Sequence, residues 1–309
     1  MITIRAYQPS DFGDVLGLLG QTHDLDPFTE TLLREKLEKD PDQSPETTLV
    51  ACRQNKLAGF MQGVSRDIRG ETYGYIKLMA TAPSAGRQGV ATKLLKTLEK
   101  RFIQRSVGRL RIYDVPMNYL NPGIDPRYTA AVCFAERRGF KKTGEALNMR
   151  VYPERSLWDT AAEEASMKRD GILIARAEPG DRERVMEFLD REWALWKYEA
   201  EMALDQSPPA LFLATKGNSV VAFAGYDGNN QGTGWFGPMG TDPSMQGRGI
   251  GRILLYRCLR DMKEQGCHYI TIPWVDPVFF YAHHAGARID RVFWRYEKEL
   301  QPGTNSKNL

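Results

Sequence analysis

The sequence predicts an α/β (α+β) protein built from two successive copies of one domain, each a mixed, mostly antiparallel sheet flanked by helices. Three observations lead there. Short strand-like runs alternate with amphipathic helical segments, and hairpin signals join strands in the middle of each half. A strand–turn–helix opening occurs twice: Ile2-Thr3-Ile4-Arg5-Ala6 leads to Pro9-Ser10-Asp11 and Val15-Leu16, and Ile172-Leu173-Ile174-Ala175-Arg176 leads to Pro179-Gly180-Asp181 and Val185-Met186. A glycine-bearing turn that opens a helix also occurs twice, at Gly86-Arg87-Gln88-Gly89-Val90-Ala91 and at Gln246-Gly247-Arg248-Gly249-Ile250-Gly251. The repeat period is about half of the 309 residues, far beyond a solenoid unit, and the length suits two domains.

Each element has a local reason. In both openings the turn supplies an N-cap candidate ahead of an apolar helical face. Thr29 caps an expected helix running to Leu37. Thr48–Cys52 and Leu57–Met61 read as strands, with Gln54-Asn55-Lys56 as the hairpin between them, and Tyr73–Ala80 reads as the next strand. The second half repeats the order: Ala210–Thr215, the turn Lys216-Gly217-Asn218, Val220–Tyr226, then an apolar strand around Trp235 to Met239. The expected division is a first domain over 1–155, a helical connection within 156–170 (Thr160 to Met167), a second domain over 171–301 and a polar tail at 302–309. The polar insertion from Asn118 to Pro126 is long enough to line a site or a domain contact.

Composition narrows the function classes. Hydrophobic residues at 42% and charged residues at 26% match ordinary soluble globular proteins. A net charge of +3 argues against a nucleic-acid partner, and the basic stretch from Arg101 to Arg111 reads as a solvated face. No apolar run approaches the roughly 20 residues of a membrane helix, so no membrane partner is expected. Met1 to Arg5 carries no signal-peptide pattern. Cys52, Cys133, Cys258 and Cys267 form no Cys-x-x-Cys pair, and Cys52 and Cys133 read as small buried hydrophobes; the expected setting is cytoplasmic. His283-His284 has no metal-ligand spacing to another His or Cys, so no metal is expected.

A glycine-rich turn feeding a helix N-terminus points several unpaired N–H groups at one spot, and the helix dipole adds partial positive charge there. Such a turn holds phosphate groups, with Arg248 and Arg252 as added charges; the same glycines also suit a plain surface turn. Two phosphate loops are excluded. No Gly-Lys-Ser/Thr tripeptide of a P-loop occurs, and the spacing Gly247-x-Gly249-x-Gly251 does not match a Rossmann fingerprint.

The residues instead resemble Gln/Arg-x-x-Gly-x-Gly/Ala, the pyrophosphate signature of the GNAT superfamily of N-acetyltransferases, here in tandem form. Gln246, Gly249 and Gly251 fill its three fixed positions. The strand Tyr269–Trp274 and the segment Phe279-Phe280-Tyr281 with Ala285-Gly286-Ala287 follow in the family's order. The first copy resembles it less closely. Gly86 stands at the first motif position, and Phe134-Ala135 stands where the family has Phe-Tyr.

The resemblance implies a sheet whose fourth and fifth strands splay apart, and acetyl-CoA (coenzyme A) as cofactor. It implies that Gln246, Gly247, Arg248, Gly249, Ile250, Gly251 and Arg252 bind the pyrophosphate and that Met239, Gly240 and Thr241 pair with the pantetheine arm. Arg87, Gln88, Gly89, Val90, Ala91 and Thr92 are their counterparts in the first copy. It implies that Tyr281 protonates the departing thiolate. Asp276, after the fifth strand, is the candidate base, with Asp227 and Glu192 as others. Ala135 leaves the first copy without the phenol, so it reads as silent, with Tyr128 and Tyr119 as the nearby phenols. The expected activity is acetyl transfer to a primary amine of a small molecule or peptide, with the C-terminal half catalytic. The alternative is a non-catalytic acyl-CoA or small-ligand binding protein. The paired Trp193 and Trp196 read as packing, and the expected assembly is a monomer with pseudo-dimeric halves or a homodimer.

Overall fold

The computed structural model describes residues 1–155 and 158–300, so the expected tail at 302–309 lies outside the described residues. The chain forms two compact units. The first joins Met1–Ala146 to the segment beginning at Phe293, and the second is Leu147–Val292.

The first unit opens with β1 (Ile2–Ala6), α1 (Phe12–Thr22) and α2 (Glu30–Glu38). Asp11 ties the turn between β1 and α1, accepting from the Gln8 amide at 2.8 Å and from both Arg5 guanidinium nitrogens at 2.6 Å. Thr29 caps α2 as expected, its hydroxyl accepting from the Leu32 amide at 3.1 Å. The hairpin strands β2 (Thr48–Arg53) and β3 (Lys56–Ile68) turn at Gln54 and Asn55, both left-handed, and β4 (Glu71–Thr81) pairs with β3 over its whole length. Then follow α3 (Val90–Gln104), β5 (Arg109–Ile112), α4 (Thr129–Arg137) and β6 (Lys141–Val151). Three glycines on β3 and β4 let α3 lie flat on the sheet; a Cβ at Gly59 or Gly63 would fall 2.6 Å or 2.5 Å from Val90 or Leu98.

The second unit repeats this order. After α5 (Ala161–Arg169), the helix expected between the copies, come β7 (Ile172–Arg176), α6 (Arg182–Glu192), α7 (Lys197–Leu204), β8 (Leu211–Lys216), β9 (Ser219–Tyr226), β10 (Phe236–Thr241), α8 (Ile250–Glu264), β11 (Ile270–Ile272), α9 (Val278–Ala285) and β12 (Arg288–Glu299). Strands β7 to β10 form an antiparallel sheet in the order β10-β9-β8-β7. Glu163 and Glu164 of α5 pair with Arg252 and Arg257 of α8.

The units divide elsewhere than the expected boundary at 155–171 because the last strands exchange. Met149, Arg150 and Val151 at the end of β6 pair with Ile272, Thr271 and Ile270 of β11 in the second unit. Glu297, Lys298 and Glu299 at the end of β12 pair with Arg111, Leu110 and Arg109 of β5 in the first. Phe293, Tyr296 and Leu300 are buried, and Tyr296 and Leu300 belong to the first unit's core. Hydrogen bonding and apolar area, which act in space, override sequence proximity here.

Some surface expectations change. Cys133 is exposed on α4, while Cys258 is the buried thiol. The insertion from Asn118 to Pro126 is packed into the first unit, where Ile124 bridges to Trp294. Asp40 forms a buried ionic cluster with Lys77 at 2.5 Å and Arg66 at 2.8 Å. Among the described residues no helix is long and apolar enough to cross a membrane, and no group of three or more His, Cys, Asp or Glu is placed to hold a metal.

Because residues after Val292 complete the first unit, a chain ended there loses amide protection first at Leu110 and Ile112 of β5, while β8 and β9 keep theirs. Hydrogen exchange read by mass spectrometry checks this, and unchanged β5 protection contradicts it.

Candidate active site

Each unit carries the same loop in the same conformation. Gly247 and Gly249 are left-handed, with φ of 75° and 82°. Arg87 and Gly89 match them at 58° and 79°. A 3-10 turn precedes each loop, Pro83–Ala85 and Pro243–Met245, and the helices start at Val90 and Ile250. Two left-handed residues in alternation turn successive amides toward the side where the helix begins, which is the nest geometry suited to an anion. The first copy keeps this path with an arginine in a conformation that costs a non-glycine residue about 1 kcal/mol, and so sets a guanidinium on the loop itself. Its loop is therefore intact in backbone although its motif departs at Gly86.

The sheet opens beside each loop. In the second unit Trp235, just ahead of β10, meets Thr271 of β11 in an isolated bridge, while β10 itself is the edge strand of its sheet and carries a register shift against β9 between Phe236 and Met239. In the first, β5 follows β4 only from Tyr73 to Ile76, and Lys77–Thr81 run on without it. The sheet splays in both copies as the resemblance implies. A Cβ at Gly251 would lie 3.4 Å from Met239 and 3.5 Å from Thr241, so the loop and the β10 residues expected to face the pantetheine arm are brought together. Gln246 donates to the Thr241 carbonyl at 3.4 Å, and Gln88 to the Ser84 carbonyl at 3.0 Å. Arg248 is exposed without an ion pair among the described residues, whereas Arg252 is held by Glu163 at 3.1 Å.

Tyr281 sits on α9 with its ring edge-on to Phe236 at 6.2 Å. Burial pushes its phenol up to about 12, so it stays protonated at neutral pH, and its hydroxyl makes no hydrogen bond among the described residues. The left-handed glycines that end α4 and α9, Gly139 and Gly286, give a common reference. Counting back from each, Ala135 matches Ala282 and Phe134 matches Tyr281. Asp276 is exposed on the segment between β11 and α9. Trp193 and Trp196 stack at 5.6 Å on the buried Phe223, and Trp193 lies against Gly240.

In the first unit a cavity of about 1280 Å³ opens along the freed end of β4. Met79, Ala80, Thr81, Arg87, Gly89 and Ala91 line it, and so do Arg137, Arg138 and Cys133 of α4 and its C-terminal end. The Arg138 Nε is buried with no hydrogen-bond partner among the described residues, an orphaned donor at a basic mouth. A slot running along the free strand edge to the left-handed loop and three arginines suits an anion carried on an extended arm.

The structure adds residues that sequence reasoning missed. Tyr113 and His23 line the same cavity, both buried. His23 follows α1 as Trp193 follows α6, a correspondence that the repeat could have revealed. Of the two phenols expected nearby, Tyr128 lines the cavity but its hydroxyl is committed to Asp26 at 2.9 Å and to the Leu25 amide at 3.0 Å.

The family described as "Acetyltransferase (GNAT) family" matches twice, over residues 20–122 and 173–285. A mycothiol acetyltransferase from Catenulispora acidiphila is 30% identical over 201 residues, 60% of this chain and 59% of that protein, so the chain spans about three fifths of this relative's length. A solved GCN5-related glucosamine N-acetyltransferase region of a fungal multi-domain GH3 β-N-acetylglucosaminidase superposes with a TM-score of 0.81 at 16% identity, covering 96% of this chain and 38% of that one. A tandem GNAT protein from the clavulanic acid biosynthesis pathway gives 0.71 at 13% identity, with 98% and 100% covered. At these identities the structural likeness concerns the fold.

Burial holds His23 below its ordinary value. The unfolded chain therefore binds a proton that the fold refuses, and this contribution to stability is lost as pH falls through about 6.5. His23→Phe keeps an aromatic ring and removes the titration. Its stability relative to the unmodified protein should improve as pH drops from 8 to 5, read by urea unfolding; a pH-independent difference contradicts the assignment.

Proposed function

The chain belongs to the acetyltransferase (GNAT) family, and on that footing we propose that it is an acetyl-CoA-dependent N-acetyltransferase acting on a primary amine of a small molecule or peptide by direct attack. The observation that carries this reading is the pair of left-handed residues at Gly247 and Gly249, set beside the free edge of β10 at the start of α8. The amides there meet the diphosphate, and exposed Arg248 adds charge. The edge of β10 from Met239 to Thr241 offers main-chain groups to the pantetheine arm, and an N–H there steadies negative charge on the thioester oxygen. The curated relative is itself named an acetyltransferase, which supports the same chemistry.

Acetyl-CoA supplies an activated acyl group and a thiolate leaving group. The protein's part is to orient the amine and to manage two protons. Tyr281 is the acid in the C-terminal unit: a protonated phenol with an uncommitted hydroxyl. Asp276 is the base that relieves the attacking amine, being an exposed carboxylate on the segment leading into α9.

A second reading, a non-catalytic acyl-CoA binding protein, is favoured by one observation. Counted from the helix-ending glycines, Tyr281 stands at the position of Phe134, and alanine fills the next position in both copies.

Thiol release from acetyl-CoA against an amine panel separates the two. Tyr281→Phe should lower kcat by about 10²-fold with cofactor affinity kept. Gly249→Glu, which strains a left-handed position and sets a charge against the diphosphate, should weaken acetyl-CoA at that loop about 10-fold or more. Full activity in both variants would refute the assignment.

A further inference from the structure

Tyr113 directly follows β5, where that strand leaves β4, its amide still bonded to the Ile76 carbonyl at 2.9 Å. Its φ is 66°, a left-handed conformation that costs a bulky residue about 1–3 kcal/mol and persists where packing enforces it, often at working sites. The consequence is local: the hydroxyl lies 3.4 Å from the Met79 carbonyl and 3.4 Å from His23 Nε2. Met79 stands three residues before Ala82 as Met239 stands three before Asp242, so the hydroxyl meets β4 at the position equivalent to the β10 residue assigned to the cofactor arm.

The polarity of His23 follows from its neighbours. Thr22 donates its one hydroxyl proton to the Leu18 carbonyl at 3.0 Å. The 3.0 Å contact between Thr22 Oγ1 and His23 Nδ1 then requires Nδ1 to donate, which leaves Nε2 as an acceptor facing Tyr113. Phe28 at 5.4 Å and Tyr128 at 5.8 Å fix the imidazole ring. Tyr113 thus lines the cavity with one proton and two acceptors, each at 3.4 Å, whereas the hydroxyl of Tyr128 is already committed at 2.9 Å.

We propose that the first unit is a second acyl-transfer centre, in which Tyr113 protonates the departing thiolate and His23 positions its hydroxyl. The proposal rests on the reading that the loop at 86–91 holds acyl-CoA. In the step, the acceptor nitrogen bonds to the acyl carbon, the carbon–sulfur bond breaks, and its electron pair stays on sulfur. Tyr113 Oη passes its proton to that sulfur and regains one from the nitrogen, so the thioester and the amine alone balance the reaction. Tyr113 does here what Phe134, at the position of Tyr281, cannot, and it reaches the sulfur from the strand side of the cavity rather than from α4.

The test uses the full chain carrying Gly249→Glu and Tyr281→Phe together, which silences the second unit. Thiol release from acetyl-CoA is followed with hydroxylamine as the amine, and binding of CoA and of desulfo-CoA by calorimetry. Release should persist and fall about 10²-fold on adding Tyr113→Phe, with KM unchanged. The same change should loosen CoA by about 2- to 10-fold relative to desulfo-CoA, the effect of one lost hydrogen bond to sulfur. His23→Gln should lower kcat without moving KM, and it carries the test if Tyr113→Phe does not fold. Binding without release, or release and CoA preference indifferent to both changes, overturns the proposal and leaves the cofactor reading intact. No binding of either nucleotide overturns both.

Discussion

The fold is organised around one backbone constraint: two left-handed residues, separated by one, immediately ahead of a helix. The helix N-terminus leaves amides without intrahelical partners, and the alternating left-handed turns direct the amides just before it to the same side. The arrangement works only if a strand ends beside it with a free edge. Both β4 and β10 meet that condition, through the early departure of β5 in one unit and the bulge at Gly237 and Pro238 in the other. The chain satisfies the constraint with Gly247 and Gly249 in one copy and with Arg87 and Gly89 in the other. The second solution accepts some strain at Arg87, and each loop carries one arginine, Arg87 in one and Arg248 in the other.

Around that shared frame the copies have diverged in the groups they present. After the first helix one carries His23 and the other Trp193; on the late helix one carries Phe134 and the other Tyr281. The result is an ionisable pair of His23 and Tyr113 beside β4, and a stacked indole pair beside β10. Desolvation acts on both. It keeps Tyr281 and Tyr113 protonated and holds His23 neutral.

The strand exchange ties this chemistry to stability. The core beneath β5 is completed by Tyr296 and Leu300, residues from the far end of the chain, and Lys298 reaches Glu99 of α3 at 2.6 Å. The first unit thus depends on contacts of very long sequence separation, whose loop-closure cost is modest because it grows only logarithmically with length.

Much was legible in the residues themselves. The repeat, the alternation of elements, the cap at Thr29, the hairpin at Gln54 and Asn55 and the glycine turn ahead of α8 are local properties, set by periodicity, side-chain-to-backbone hydrogen bonds and the steric freedom of glycine. The sequence also determined the family, because its motif is a local backbone requirement. Tertiary structure alone decided where the compact units divide, since strands pair by register in space and not by order. It alone showed that Arg87 adopts the path of Gly247, a matter of packing overriding propensity. It alone brought His23, Met79 and Tyr113 to one point, because the residues that meet across a splayed sheet lie on separate elements and leave no pattern along the chain.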